Sequence, residues 1–556
     1  MINSIAYPAH DTKTITFSSE AERHILIQNK HAGTAAESNS AGGQQLSPEI
    51  AIDAKSRFYI IIATLLVLFL GALDALVMSA AMPTIVSDLG GLHLYSWVYS
   101  AYLLARAVSL PVFGKLADIF SSRRLYIISI LIFLLGSILA GLAQSMMQLI
   151  LSRVLQGIGA GGNFALVYIV LADVSTSENR GKTLSLGSFI WGLASLLGPT
   201  FGGFVVTYFS WRWIFFINVP LGLLSLVGIA IYLVEVRDKK QEAAIDYWGA
   251  FTLSTTILGL LTVFLLAGRS YDWISPQIIG LSMLTIATSL AFYYAEKRAR
   301  EPVLSLEFFG SRGFSIGNGS AFLASFTIFS LFAYSPLFIQ GALGKTPLQM
   351  SVAMLSLSLG WSIGALVCGQ TVNRFGQKPS TVFGSLCLAV GGGILITFST
   401  GTSLTTCSIV LGFVGIGMGF VSIATLLVVQ DSLEKSDLGV ATSSHQFART
   451  LGGTIGVGIS GSFVTMTLSN VMETVKNTGL NNLPPSLKVQ IEQSAENIFR
   501  PEVQALLAPD IQKIFQEAVA RGVAMVFWTT FFASLLCLTL SILIPVRSVP
   551  KAKNGS

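Results

Sequence analysis

Apolar runs long enough to cross a lipid bilayer recur along this chain, and nothing constrains its fold more. A spanning helix needs roughly 20 mostly apolar residues, because about 30 Å of hydrocarbon is crossed at about 1.5 Å per residue. Fourteen segments meet that length: 58–81, 96–113, 125–144, 148–172, 184–207, 213–235, 247–267, 277–296, 314–339, 348–369, 380–399, 405–430, 444–468 and 522–545. Charges gather in short clusters between them, so that 52% of the 556 residues are hydrophobic and only 11% are charged, against about 25% charged in an ordinary soluble domain. The expected class is an all-α integral membrane protein.

The basic residues alternate between loops, as they must when positive charge resists translocation. One set of loops holds Lys115, Arg123 and Arg124; Arg180 and Lys182; Arg237, Lys239 and Lys240; Lys297, Arg298, Arg300 and Arg312; Arg374 and Lys378; and Lys435. The other set offers Arg212, Arg269 and Lys345. The first set is therefore expected to face the cytoplasm, together with both termini: the polar stretch 1–56 as a disordered tail and 547–556 as a short one. The net charge of +6 follows from this topology; the basic residues form no continuous stripe, and no nucleic-acid partner is expected. An outer loop, 470–521, carries both charge signs and an amphipathic pattern from Pro501 to Arg521, which predicts a short surface helix.

Several function classes drop out. Cys368, Cys387, Cys407 and Cys537 each sit in an apolar run with no CxxC pair or histidine cluster beside them, so neither a disulfide framework nor a metal site is expected. The five histidines are scattered, with His445 near the cytoplasmic face expected to be structural, and no nucleophile–base spacing suggests an enzyme. No GxxxxGK[ST] loop suggests use of ATP, and no continuous polar face suggests a channel.

The ionisable residues inside the spans carry the chemistry. Asp74 lies in the first span, and a carboxylate in lipid is stable mainly when protonated or paired, which makes it a candidate proton or cation site. Arg153 in the fourth span costs about 2.5 to 3.5 kcal/mol on insertion scales, so it needs a wet cavity or a carboxylate partner. Arg449 and Arg106 are further arginines inside spans. After the second span, Gly114 lets helices approach, Asp118 can offer its carboxylate to an adjacent helix N-terminus, and Arg123 and Arg124 can bridge to the neighbouring bundle, which together describe a cytoplasmic latch. In the fifth span, Gly198, Pro199, Gly202 and Gly203 remove side chains from one helix face and predict a closely packed hinge.

These stretches resemble the major facilitator superfamily. Gly114-Lys115-Leu116-Ala117-Asp118 with Arg123-Arg124 resembles its signature loop; Leu149, Arg153, Gln156 and Gly157 are similar to its second motif; and Gly198-Pro199-Thr200-Phe201-Gly202-Gly203 looks like its exporter motif. Leu73-Asp74-Ala75-Leu76 is similar to the first-helix motif of the fourteen-span drug:proton antiporters. Trp211 to Pro220 resembles the family's outer turn before the sixth helix, and Gln430, Gly439 to Thr442, Phe447 and Arg449 look like its thirteenth-helix region. Ser121, Ser122, Ala194 and Arg106 depart from the family pattern. The resemblance implies two six-helix bundles, 57–240 and 301–546, around a cavity at mid-depth, joined by two linking helices in 241–300. It implies a proton-coupled antiporter of the plasma (inner) membrane that exports drugs or other lipophilic small molecules by alternating access. Its partners would be that substrate, protons and the lipid bilayer, with a periplasmic adaptor in a Gram-negative source, and no cofactor beyond the proton gradient. Export of an anionic metabolite or siderophore, or uptake by symport, are the alternatives. Arg106 bears on them: facing the cavity it favours an anionic or zwitterionic substrate, and paired with Asp74 it changes the proton coupling.

Overall fold

The structure, a computed structural model, describes residues 53–89, 94–176, 179–235, 246–267, 271–299, 306–478 and 509–545. The expected tails lie outside these residues except for 53–56, as do 479–508 of the expected outer loop. The helices run in the order α1 (Ala54–Leu89), α2 (Tyr95–Ile119), α3 (Ser122–Gly141), α4 (Met146–Asp173), α5 (Arg180–Tyr208) and α6 (Trp213–Tyr232), the last stepping at Ile217. They continue as α7 (Tyr247–Leu266), α8 (Pro276–Arg298), α9 (Arg312–Leu337, with a π turn at Phe338–Ala342), α10 (Pro347–Phe375) and α11 (Gln377–Leu395). Last come α12 (Leu404–Gln430), α13 (Leu438–Thr478) and α14 (Pro509–Ile542).

Local chemistry places many of these starts. Ser121, Ser145, Ser275 and Ser403 each accept a hydrogen bond from the backbone amide three residues on, and Thr346 with Gln349 forms a capping box ahead of Pro347. Such caps satisfy amide groups that the first turn of a helix leaves without partners. The join between α10 and α11 is made by Gly376 at φ 92°, a left-handed conformation that side chains disfavour.

Fourteen spans were expected, and each expected segment falls in one of these helices. By length and apolarity, however, eleven of the helices among the described residues suffice to cross a membrane: α1, α3, α4, α6 to α12 and α14. Of the other three, α2, α5 and α13, α2 carries Arg106 and α13 carries Arg449. One correction concerns the outer loop. No separate surface helix occupies 509–521, because these residues form the start of α14, and α13 continues through 470–478.

One apolar core is built around Phe133, Phe164, Leu166 and Ile169 with residues of α1 to α6 and reaches across to Ala365, Cys368, Phe420 and Leu427 of α10 and α12; another joins Ile328, Leu357, Val414 and Phe527 from α9 to α14. Helix α7 packs on α2 and α13 through Leu253, Ile257 and Leu261, whereas α8 leaves most of its surface, including Met283, Ile286 and Tyr294, exposed for lipid.

Small residues allow the closest helix pairs. A Cβ at Gly360, Gly364, Gly415 or Gly419 would collide with partner backbone along the α10–α12 seam. In lipid, where apolar side chains gain little from leaving the solvent, such close backbone packing is what holds helices together. Gly419→Ala should therefore lower the thermal unfolding midpoint, by an overpacking cost of about 1 to 3 kcal/mol. Gly280→Ala, with no atom within 4 Å of the added carbon, should leave it unchanged in a melt of the purified chain.

Candidate functional site

Asp74 of α1 is buried, and so is the group that neutralises it. Arg153 Nη1 of α4 lies 2.6 Å from Asp74 Oδ2, with both side chains almost fully excluded from solvent. The other carboxylate oxygen accepts a hydrogen bond from Gln156 Nε2 at 2.9 Å and a longer approach from Asn218 Nδ2 at 3.4 Å. Gln156 also accepts from Arg153 Nη1 at 2.7 Å. Ser137 of α3 accepts from Asn218 at 2.9 Å and from Gln156 at 3.2 Å, and donates to the Phe215 carbonyl at 2.9 Å. The Arg153 guanidinium lies 4.0 Å from the centre of the Tyr102 ring. Four helices thus meet in one polar cage. Buried ion pairs hold only when their remaining donors and acceptors are met as well, and here two amides and a hydroxyl do most of that.

The expectation that Arg153 requires a carboxylate partner is met by Asp74; the alternative that Arg106 pairs with Asp74 is overturned. Arg106 of α2 instead stacks on Phe164, 3.7 Å from the ring centre, with Trp191 at 6.0 Å. Arg449 of α13 faces Trp361 at 5.3 Å and donates to Gln446 Oε1 at 3.3 Å. Both arginines sit eleven residues from the start of their helices, about 16 Å at the helical rise and near mid-depth. The Asp74 cage lies nearer the end at which α4 begins.

The loop motif sits at the opposite end. Asp118 Oδ1 accepts from the Gly439 amide at 2.8 Å and Oδ2 from the Val440 amide at 2.9 Å, so its carboxylate closes the first turn of α13, where amides lack partners and the helix dipole favours an anion. Gly114 packs against Gly439 and Ser443 so closely that a Cβ would clash. The arginines do not bridge to the other bundle as expected. The Arg123 amide donates to Glu235 Oε1 at 2.9 Å and its guanidinium to the Ala230 carbonyl, both at the end of α6, because Ser121 Oγ donates to the same Glu235 oxygen at 2.6 Å and draws the turn there. Arg124 is exposed, with its amide on Ser121. A second link between the halves comes from Arg180, 3.0 Å from Asp431, which Gln377 also contacts at 2.7 Å.

In α5 the helix runs unbroken through Pro199, and a Cβ on Gly198 would lie 2.8 Å from that of Leu76, two residues from Asp74. Gly202 is buried; the packing of Pro199 and Gly203 lies outside the described residues. His445 is buried with Nε2 2.9 Å from Thr425 Oγ1. Sequence reading passed over Ser137 and Asp431, and took Asn218 only as part of a turn. The signal for Asn218 was present, since an amide at the head of an apolar run must find a buried partner. At the end of α1, Asp88 receives the Trp211 indole and Arg212 at 2.9 Å each, which hold its carboxyl below the ordinary value.

A profile of the Major Facilitator Superfamily matches residues 64–457. Among relatives, the multidrug transporter protein MdtP of Bacillus subtilis is 33% identical over 482 residues, 86% of this chain and 89% of that protein. Multidrug resistance protein 3 of the same species is 30% identical, covering 84% and 91%. The efflux pump dotC of the fungus Dothistroma septosporum (strain NZE10) is 30% identical, covering 86% and 83%. Of solved structures, the proton:xylose symporter XylE superposes with a TM-score of 0.56 at 16% identity, covering 87% of this chain and 95% of that one, a likeness of fold.

Removing one member of the buried pair should cost more than removing both. Arg153→Gln leaves a desolvated carboxylate without its cation, a loss of about 3 to 5 kcal/mol. Combining it with Asp74→Asn should restore much of the lost thermal stability in a double-mutant cycle on the purified chain. Strictly additive losses would show that the pair is not coupled.

Proposed function

We propose, from the premise that this chain belongs to the Major Facilitator Superfamily, that it exports lipophilic small molecules in exchange for protons. As a member of that family it is a multi-pass membrane transporter and not an enzyme. The observation that carries the exchange is the caged Asp74–Arg153 pair, the ionisable carboxylate within α1 whose partner changes when it takes a proton. The relatives' descriptions as multidrug transporters and efflux pumps favour export over uptake.

The remaining assignments follow from charge and packing. All fourteen helices cross the membrane in this reading, including α2, α5 and α13, whose polar residues face the interior. Helices α1 to α6 and α9 to α14 form the two bundles, with α7 and α8 linking them. The excess of basic residues in the loops at the end bearing Asp118 and Arg180 supports a plasma-membrane orientation in which that end and both termini face the cytoplasm. That end is closed in this conformation by the Asp118–α13 contacts and the Arg180–Asp431 pair. The central space then communicates with the outside. Protonation of Asp74 from that side neutralises the carboxylate and releases Arg153. Gly198 packs on Leu76 beside Asp74, while Gly181 and Gly192 of the same α5 pack on Gly369 and Ser362 of α10. A rearrangement at Asp74 is thereby felt across the two halves, and the latch opens inward. Deprotonation there accompanies substrate uptake.

Reconstituted vesicles test this. An imposed pH gradient should drive a lipophilic substrate across wild-type vesicles, and Asp74→Asn should abolish that movement while binding stays within about threefold, since only the exchangeable proton is lost. Equal gradient-driven transport by the variant would exclude Asp74 from coupling. Failure of a broad lipophilic panel to move in wild type would end the export reading.

A further inference from the structure

At mid-depth the two halves present two positive charges and no matching acid. Arg106 comes from α2 and Arg449 from α13, and each is only partly buried. The ion pairs among the described residues include neither, although their helices α2 and α13 pack together through Leu104, Ala107, Phe447 and Leu451. A membrane arginine without an acid partner is costly. Gln446 Oε1 accepts one hydrogen bond from Arg449, and other donors are left over. Buried Arg106 Nε, Arg449 Nε, Trp361 Nε1 and Gln446 Nε2 all lack hydrogen-bond partners, and every one of them is a donor. Buried groups in native structures are generally satisfied, so a cluster of unsatisfied donors marks a place where acceptors are to be supplied.

The walls are aromatic. Phe164 and Trp191 stand edge to face at 5.7 Å beside Arg106, and Trp361 meets Phe329 at 6.3 Å beside Arg449. Phe329 remains 37% exposed although it packs against Trp361 and against Gly453 of α13. Such rings bury the flat apolar body of a ligand while leaving its charged group to the guanidiniums.

We propose that Arg106 and Arg449 form a substrate site for amphipathic aromatic anions, with the carboxylate or sulfonate held by the two guanidiniums and the rings stacked on Trp191 and Trp361. This rests on the transporter reading and names the class of molecule that the cavity takes. An anion held by both arginines also joins the two halves.

The test uses one fluorophore in three charge states: dansylglycine, dansylamide and dansylcadaverine, an anion, a neutral molecule and a cation. Binding to the purified full-length chain is read by energy transfer from tryptophan. Dansylglycine should bind about 10- to 100-fold more tightly than dansylamide, as expected for hydrogen bonds to charged groups, with dansylcadaverine weakest. Arg106→Gln and Arg449→Gln should each remove most of that preference and leave dansylamide binding within about twofold, while Arg106→Lys keeps part of it. Tightest binding of the cation, or glutamine variants that leave dansylglycine unchanged or weaken all three probes equally, would overturn the proposal. If the glutamine variants do not stay monodisperse, the order of the three probes on wild type decides alone. No gradient is needed for binding. An anion that binds but does not move with a pH gradient would defeat the export reading and leave this site standing; gradient-driven export of the cation without anion binding would do the reverse.

Discussion

The buried pair of Asp74 and Arg153 is the interaction around which the first half of the molecule is organised. Neither charge is affordable alone in lipid. Together they require α1 and α4 to lie side by side, and the unfilled bonding capacity of the carboxylate then requires Gln156, Asn218 and Ser137 at set positions on α4, α6 and α3. Close approach is met by glycine: Gly136 faces the Gln156 backbone and Gly157 the Tyr102 carbonyl at 2.5 Å from an added Cβ. A structure this committed to satisfying one carboxylate is sensitive to its charge. Adding a proton removes the reason for the arrangement, which is what a coupling site needs.

Three polar layers follow one another through the bundle. The cage lies toward the end where α4 begins, the two mid-depth arginines make no ion pair among the described residues, and the Asp118 contacts with α13 close the far end. The chemistry differs in each. In the cage, charge is neutralised within one half. At the far end it is exchanged between halves through the buried Asp118 contacts with backbone amides and the part-buried Arg180–Asp431 pair. At mid-depth it is left for a ligand. Helix α5 touches all three levels, with Gly181 at the latch end, Trp191 near Arg106, and Gly198 beside the cage.

Much of this was legible from residue order, in proportion to how local the physics is. The apolar runs mark the helices because the span length is set by the bilayer, and Asp74 and Arg153 stand out because charge inside such a run must be compensated. Asp118 is readable for a similar reason, as a carboxylate that can cap a helix. What one-dimensional reading lacks is the choice of partner. Arg123 turns to Glu235 and Ala230 within its own half because Ser121 caps α3 and fixes the turn toward α6. Arg106 finds Phe164 instead of Asp74 because α4 places its own arginine closer. Ser137 is one hydroxyl among many in apolar helices, most of which bond to their own backbone, so nothing in its neighbourhood distinguishes it. The pattern at 501–521 marks amphipathic character, but only packing shows that residues from 509 onward belong to α14.

Coupling through Asp74 is most directly seen as protons leaving the protein when substrate arrives. Purified wild-type chain in weakly buffered detergent solution, poised at a pH where part of the population is protonated, should acidify the medium on addition of a transported substrate, and Asp74→Asn, still binding that substrate, should not. Equal proton release from both proteins, or none from wild type across the pH range in which it transports, would contradict a mechanism in which Arg153 and a proton compete for Asp74.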